Sequence, residues 1–309
     1  MSFTNQSNST VNLQRQTILG IVVVSIVTTL PCCVFLFING TMLFTLRSKT
    51  VFQETPCYIL VYNLLFGDTI QMAQSQSIFL ISAFRVILLY PVCAVLVVIN
   101  ASSQDVSVLT LVLMCLERYV AVCYPMRHAA VITVRNTGVA IGVIWTFSFV
   151  NALIKLSLML NFPLEELKQM QMKDFCGKDS MFLDPLSALY DKASTYFIFV
   201  LACVSVGFSY IGVMVAARLA STDKASAKKA RNTLLLYLVQ LGLSMSSLVH
   251  TPLLIVISKT LDRLTAVYIM ILLYVVLIIF PKCLSSLIYS LRDKTIRPVL
   301  MFNLGCRCL

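Results

Sequence analysis

Residues 116–128 read Leu-Glu-Arg-Tyr-Val-Ala-Val-Cys-Tyr-Pro-Met-Arg-His. They set a carboxylate, Glu117, beside a guanidinium, Arg118, at the end of a long apolar segment, with Tyr119 next and a proline-interrupted basic loop after. Ionisable side chains beside hydrocarbon are costly and usually functional. The chemistry this pair offers is that of an ionic latch, held or released.

Two further polar sets interrupt apolar sequence. Asp68, Gln71 and Ser75 recur at i, i+3 and i+7, which places them on one helical face. Lipid does not accept such a face, so it should point into a bundle. Asn100, Gln104 and Asp105 precede Arg118 by 13 to 18 residues, about 20–27 Å at ~1.5 Å of rise per residue. One buried polar side chain is explained by an interhelical hydrogen bond, worth about 0.6 kcal/mol on average. The upper set taken together points instead to a small-ligand cavity, apolar with a few polar orienters.

No catalytic or metal site is expected. His128 and His250 are the two histidines, far apart in sequence, and there is no Cys-x-x-Cys, His-Glu-x-x-His or phosphate-cradling glycine loop. An enzyme is not the expectation.

These groups need elements to hold them, and composition names the solvent. The chain has 309 residues, 59% hydrophobic and 12% charged, with a mean hydropathy of +0.88. Soluble domains carry roughly 25% charged residues, and a bilayer-embedded bundle explains the deficit. A span needs about 20 apolar residues. Seven stretches qualify, at 18–46, 58–84, 86–122, 137–160, 193–217, 233–257 and 264–291, with only Arg85 separating the second from the third. Alternating ten-residue segments of the porin kind are absent. The expected fold class is an all-α membrane protein, a seven-transmembrane helix bundle.

An odd number of spans puts the termini on opposite sides, and basic residues choose between them. With the N-terminus outside, the inner side holds Arg47, Lys49, Arg118, Arg127, Arg135, Arg218, Lys224, Lys228, Lys229, Arg231, Arg292, Lys294, Arg297 and Arg307, which is 14 of the 24 Lys and Arg. The outer side holds Arg15, Arg85, Lys168, Lys173, Lys178, Lys192, Lys259 and Arg263. That imbalance predicts an extracellular N-terminus and a cytoplasmic C-terminus. The formal charge of +11 sits on short loops beside apolar helices. Its expected counter-surfaces are anionic inner-leaflet lipid and an acidic cytosolic partner, not nucleic acid.

The polar tail carries two glycosylation sequons, at Asn5 and Asn8, on the expected outer side. No cleavable signal peptide is expected, and the first span is expected to act as the targeting signal. Of eleven cysteines, Cys93 and Cys176 face the oxidising side in this topology and are expected to pair. Loop entropy alone would give that bridge roughly 4–5 kcal/mol, an overstatement where membrane helices already restrict the unfolded chain. Cys306 and Cys308 follow the basic run Arg292, Lys294, Arg297 and are candidates for palmitoylation.

Taken together these residues resemble the rhodopsin-like (class A) G-protein-coupled receptors, and among them the fish-type odorant receptors. The anchors are Asn39-Gly40, the run Asn63 to Asp68, Cys93 with Cys176, and Glu117-Arg118-Tyr119 where the family has Asp-Arg-Tyr. Met114 to His128 resembles the odorant-receptor signature, and Trp145, Ser209-Tyr210, Lys229 to Thr233 and Pro281 to Tyr289 match further motifs. There are departures: Ser285-Ser286 stands for Asn-Pro, Tyr237 for the usual histidine, and Cys176 is alone in its loop.

The resemblance implies an outer tail at 1–17, a receptor domain at 18–291, and a cytoplasmic amphipathic helix and tail at 292–309. It implies a small-molecule odorant bound in the outer half of the bundle, by Asn100, Ala101, Gln104 and Asp105 of span three, Ser194 and Ile198 of span five, Met245 and Val249 of span six, and Ile271 and Val275 of span seven. Ligand shifts a two-state equilibrium by differential affinity. Arg118 then leaves Glu117, Tyr210 and Tyr289 rearrange, and the opened cavity takes a helix of a heterotrimeric G protein that raises cyclic AMP. By analogy Asp68, Ser107 and Ser285 form a candidate sodium site, the ion acting as a negative modulator. No other cofactor is expected. The implied location is the plasma membrane of olfactory cilia. A receptor for an amine or peptide is the alternative, and behind it a transporter, which would want half-repeats and broken helices.

Overall fold

Prolines mark where four of the described helices begin. In a computed structural model, which describes residues 2–84, 86, 88–160, 176, 185–219, 232, 235, 239, 242, 253, 256, 257, 260, 263–280, 282, 298 and 299, helix α1 (Ser2–Ser48) is followed by a short α2 (Thr50–Gln53), then α3 (Pro56–Ala83) and α4 (Tyr90–Cys123). A single-turn-plus helix α5 (Pro125–Val131), α6 (Val134–Leu160), α7 (Pro185–Leu219) and α8 (Arg263–Tyr274) complete the described elements, the last running into a π turn at Val275–Ile279. Pro56, Pro91, Pro125 and Pro185 all sit in a first turn. There the missing N–H would have had no partner and the fixed φ is already helical.

The hydropathy boundaries miss these starts. The third span begins at Tyr90 and not at 86; α7 begins at Pro185 and not at 193, taking in Asp191 and Lys192, which an apolar window rejects. α1 runs on through the expected tail to Ser2, with no glycine or proline before Gly20 to stop it. At ~1.5 Å per residue its 47 residues reach about 70 Å, more than twice the thickness of a hydrocarbon core. The sixth span lies almost entirely outside the described residues, and the seventh is described to 280 and at 282.

Among the described residues four helices are long and apolar enough to cross a membrane: Val22–Ser48, Tyr90–Cys123, Val134–Leu160 and Pro185–Ala216. α3 has the length, 28 residues, but Asn63, Asp68, Gln71 and the run Gln74 to Ser77 dilute it.

Burial shows what surrounds the molecule. On α1, Val23, Ile26, Leu30, Val34, Phe37 and Phe44 are each half exposed or more; on α7 the same holds for Phe197, Val200, Val204, Phe208, Ile211 and Val215. Both stripes step by three or four residues, or a multiple, so each is a helix face presented outward. Meanwhile Asn63, Asp68, Gln71, Gln76, Asp105, Asn151, Lys155, Asp191 and Lys282 are buried. Water would reject an apolar exterior of that extent, and lipid accepts it.

α4 is the axis. It packs against α3, α6 and α7, while α3 is held between α4 and α1. Half of α4's membrane window is buried, against 22–28% for the other three. Met42, Leu64, Leu65, Leu111, Met114, Ala202 and Val206 make the larger core, toward the Arg118 end. A second, around Tyr90, Cys93, Ala94, Met159 and Cys176, closes the opposite end.

Cys93 and Cys176 are bonded there, Cα atoms 5.8 Å apart across 83 residues of chain. Tyr90 adds a hydrogen bond from its hydroxyl to the Met159 carbonyl, 3.3 Å. Cys93→Ser should cost about 2–5 kcal/mol, seen as a drop in surface delivery, and the gel-mobility shift on reduction should vanish. Wild-type delivery in that variant would show that the bridge does not hold the fold.

Candidate functional site

Antiparallel helices keep a fixed register, so the polar residues of α3 and α4 meet in rungs. Asn100 Nδ2 donates to Ser75 Oγ at 3.0 Å. Gln71 Nε2 donates to Gln104 Oε1. Asn63 Nδ2 donates to Thr110 Oγ1 at 2.8 Å, and its Oδ1 accepts from Trp145 Nε1 at 2.9 Å, which ties in α6. Between these rungs the Ser107 hydroxyl lies against Gly67, where a Cβ would come within 2.9 Å of it.

The other side of α4 carries a second network. Asp105 Oδ2 accepts from Asn151 Nδ2 at 2.8 Å, and Asn151 Oδ1 accepts from the Tyr190 hydroxyl at 3.1 Å. One helical turn along α6, Lys155 Nζ sits 3.1 Å from Asp191 Oδ1, the side chains 2% and 6% exposed. These contacts link α4, α6 and α7 toward the disulfide end. On α1, Thr29 Oγ1 accepts from Gln76 Nε2 at 2.9 Å, and Gln76 Oε1 accepts from the Tyr274 hydroxyl at 3.1 Å. Lys282 Nζ donates to Asp68 Oδ1 at 2.7 Å.

At the far end of α4 lies the Glu117–Arg118 ion pair. Adjacent helical residues do not face each other, so Arg118 meets Glu117 through Nε, 3.2 Å from Oε2. That leaves Nη2 to reach Cys57 Sγ on α3 at 2.8 Å. Glu117 is only 5% exposed, and its other oxygen lies 3.6 Å from His128 Nε2. α5 makes this contact: its first turn, closed by His128 N–H to the Tyr124 carbonyl at 3.0 Å, folds the chain back beneath α4. Tyr119 meets Tyr124 edge-on and packs at a tilt against Phe208. A Cβ on Gly212 would overlap its ring, so a residue without one lets α7 approach.

α4 thus carries polar rungs along its length, an ion pair at one end and a disulfide at the other. The family model described as 7 transmembrane receptor (rhodopsin family) matches residues 39–303. The chain is 33% identical over 274 residues to Odorant receptor 131-2 of Danio rerio, covering 88% of this chain and 83% of that one. This chain is a rhodopsin-family receptor of the odorant-receptor group. More distant similarity reaches Olfactory receptor 4K15 of Homo sapiens, 26% identical over 79% of this chain and 74% of the relative. Olfactory receptor 4K5 of Homo sapiens is 27% identical over 84% and 79%. The receptor is a multi-pass membrane protein and not an enzyme.

The receptor's expected ligand set divides on inspection. Asn100 and Gln104 turn toward α3, Asp105 toward α6. Ala101, Ile271 and Val275 are half-buried, the last packed against Cys32, Met72 and Tyr274. Ile198 is core, beside Leu111 and Ala202. The Ser194 hydroxyl donates back to the Asp191 carbonyl at 3.1 Å. Tyr210 is half-buried against the larger core. Met245, Val249, Ser285, Tyr289, Cys306 and Cys308 lie outside the described residues, and Asn5 and Asn8 fall on α1. As assembled, the sodium ligand set does not fit an added ion: Asp68 already carries an ammonium at contact distance.

Sequence reasoning missed Lys155, Asp191, Asn151, Tyr190, Lys282 and His128. A signal for the lysines existed. Of 24 basic residues, 14 inner and eight outer leave two, Lys155 and Lys282, inside apolar segments. A lysine so placed requires a buried acid.

Proposed function

We propose that this receptor binds a small-molecule odorant in the disulfide half of its bundle and, through the Glu117–Arg118 latch, activates a stimulatory heterotrimeric G protein that raises cyclic AMP. The observation that carries this reading is the 33% identity over 88% of the chain to Odorant receptor 131-2. Asn100, Ala101, Gln104 and Asp105 on α4, Ser194 and Ile198 on α7, Ile271 and Val275 near the π turn, with Met245 and Val249 of the sixth span, form the binding set. Asp105 is held by Asn151, so in this reading it orients α6 and does not anchor an amine directly. Seven spans, an outer N-terminus glycosylated at Asn5 and Asn8, a cytoplasmic C-terminus with a post-span helix and palmitoylated Cys306 and Cys308, and a place in olfactory cilia complete it; the excess of inner basic residues supports the orientation.

Cells expressing the full chain, screened for cyclic AMP against grouped water-soluble odorants, test it. A dose-dependent rise that is lost in mock-transfected cells is the expected result. A receptor that reaches the surface and answers only amines or peptides would overturn the odorant assignment.

A further inference from the structure

Lys282 and Asp68 form a charge pair that neither the latch nor the odorant reading uses. Nζ stands 2.7 Å from Oδ1, with the side chains 6% and 3% exposed. The carboxylate comes from the polar face of α3. The ammonium comes from just beyond the π turn Val275–Ile279, one residue after Pro281. A π turn holds an extra residue and so rephases whatever follows it, by about 100° of helix rotation. The irregular turn therefore lies immediately ahead of the residue that must reach α3.

A buried carboxylate that stays ionised must find positive charge, and either a diffusible ion or a tethered one can supply it. Here it is tethered. A second cation at the same carboxylate would meet the ammonium at close range, where a low dielectric makes like-charge repulsion severe. The Ser107 hydroxyl, buried beside Gly67, brings a neutral oxygen to this layer but no compensating charge.

We propose that Lys282 is a built-in counter-ion for Asp68. Its ammonium takes the place a monovalent cation would need, so the receptor's stability and resting activity do not respond to sodium. Because the charge is covalently attached, it also ties the seventh span to α3, which a soluble ion cannot do. The proposal does not depend on which ligand the receptor binds.

The test compares melting temperatures of the full-length purified receptor in sodium chloride and in N-methylglucamine chloride at equal ionic strength. Wild type should melt at the same temperature in both. Lys282→Ser leaves the Asp68 carboxylate without its ammonium, and this variant should gain a sodium-dependent rise in melting temperature. Asp68→Asn placed on top of Lys282→Ser should abolish that rise. Should Lys282→Ser not reach the membrane, Lys282→Gln, which keeps a donor for Asp68, carries the same comparison. Stabilisation of the wild type by sodium overturns the proposal, and so does a charge-deleted variant that stays indifferent to sodium.

Discussion

Replacing Asp191 by alanine should cost about 3–5 kcal/mol and strip the receptor from the cell surface. The reason is what remains. Lys155 is 2% exposed and sits 3.1 Å from the lost carboxylate, so truncation leaves an ammonium buried with its charge uncompensated. Lys155→Met, which takes a buried ammonium away from Asp191, should be costly as well. The double variant Lys155→Met/Asp191→Leu removes both charges and fills their volume with apolar atoms, an exchange that is often neutral or stabilising by about 1–4 kcal/mol. Surface labelling together with melting temperature measures all three. Rescue in the double variant, read as a large coupling energy between neighbours, is the expected pattern. Single variants that melt like wild type would mean the pair contributes nothing to the assembled bundle.

Arg118→Ala should abolish ligand-evoked cyclic AMP while leaving the receptor at the surface. The dissociation of the two readouts follows from burial. The Arg118 side chain is a third exposed, so its removal disturbs little packing, whereas Glu117 is almost sealed. Without Arg118, Glu117 keeps His128 at 3.6 Å and α3 loses the contact at Cys57. The latch end can then no longer pass between two defined arrangements, and a ligand has nothing to bias. Immunolabelling of intact cells paired with a cyclic-AMP reporter measures both quantities. Full signalling in the variant removes the switch role from Arg118.

How much of this was legible beforehand differs by element. Cys93 with Cys176 was readable because topology left two cysteines on the oxidising side, and the bond is there. The polar face of α3 was readable from helical spacing, and all three of its members are engaged as an inward face requires. Helix starts were misplaced because hydropathy windows respond to average polarity, whereas a proline in a first turn responds to backbone geometry. Pro91 and Pro185 held the better signal. Partner choice was the part that local sequence could not encode. Asn151 meets Asp105 across 46 residues and Lys282 meets Asp68 across 214. Such pairings depend on helix rotation and depth, which only packing sets. The Glu117–His128 contact stayed hidden for a nearer reason: α5 is a short helix in what reads as a loop, and its turn brings the imidazole back.

The two membrane-embedded lysines impose an order on biosynthesis. Lys155 leaves the ribosome before Asp191, so α6 enters the bilayer with its charge ahead of its acid. A lysine at a helix centre burdens insertion by about 2.5–3.5 kcal/mol and one in the last turns, like Lys155, by less, a cost that favours holding α6 beside the translocon until α7 arrives as the second half of a hairpin. Lys282 is made last and finds Asp68 already waiting. The first lysine thus delays release of a nascent hairpin, and the second completes the assembly by docking onto an acid placed there more than two hundred residues earlier.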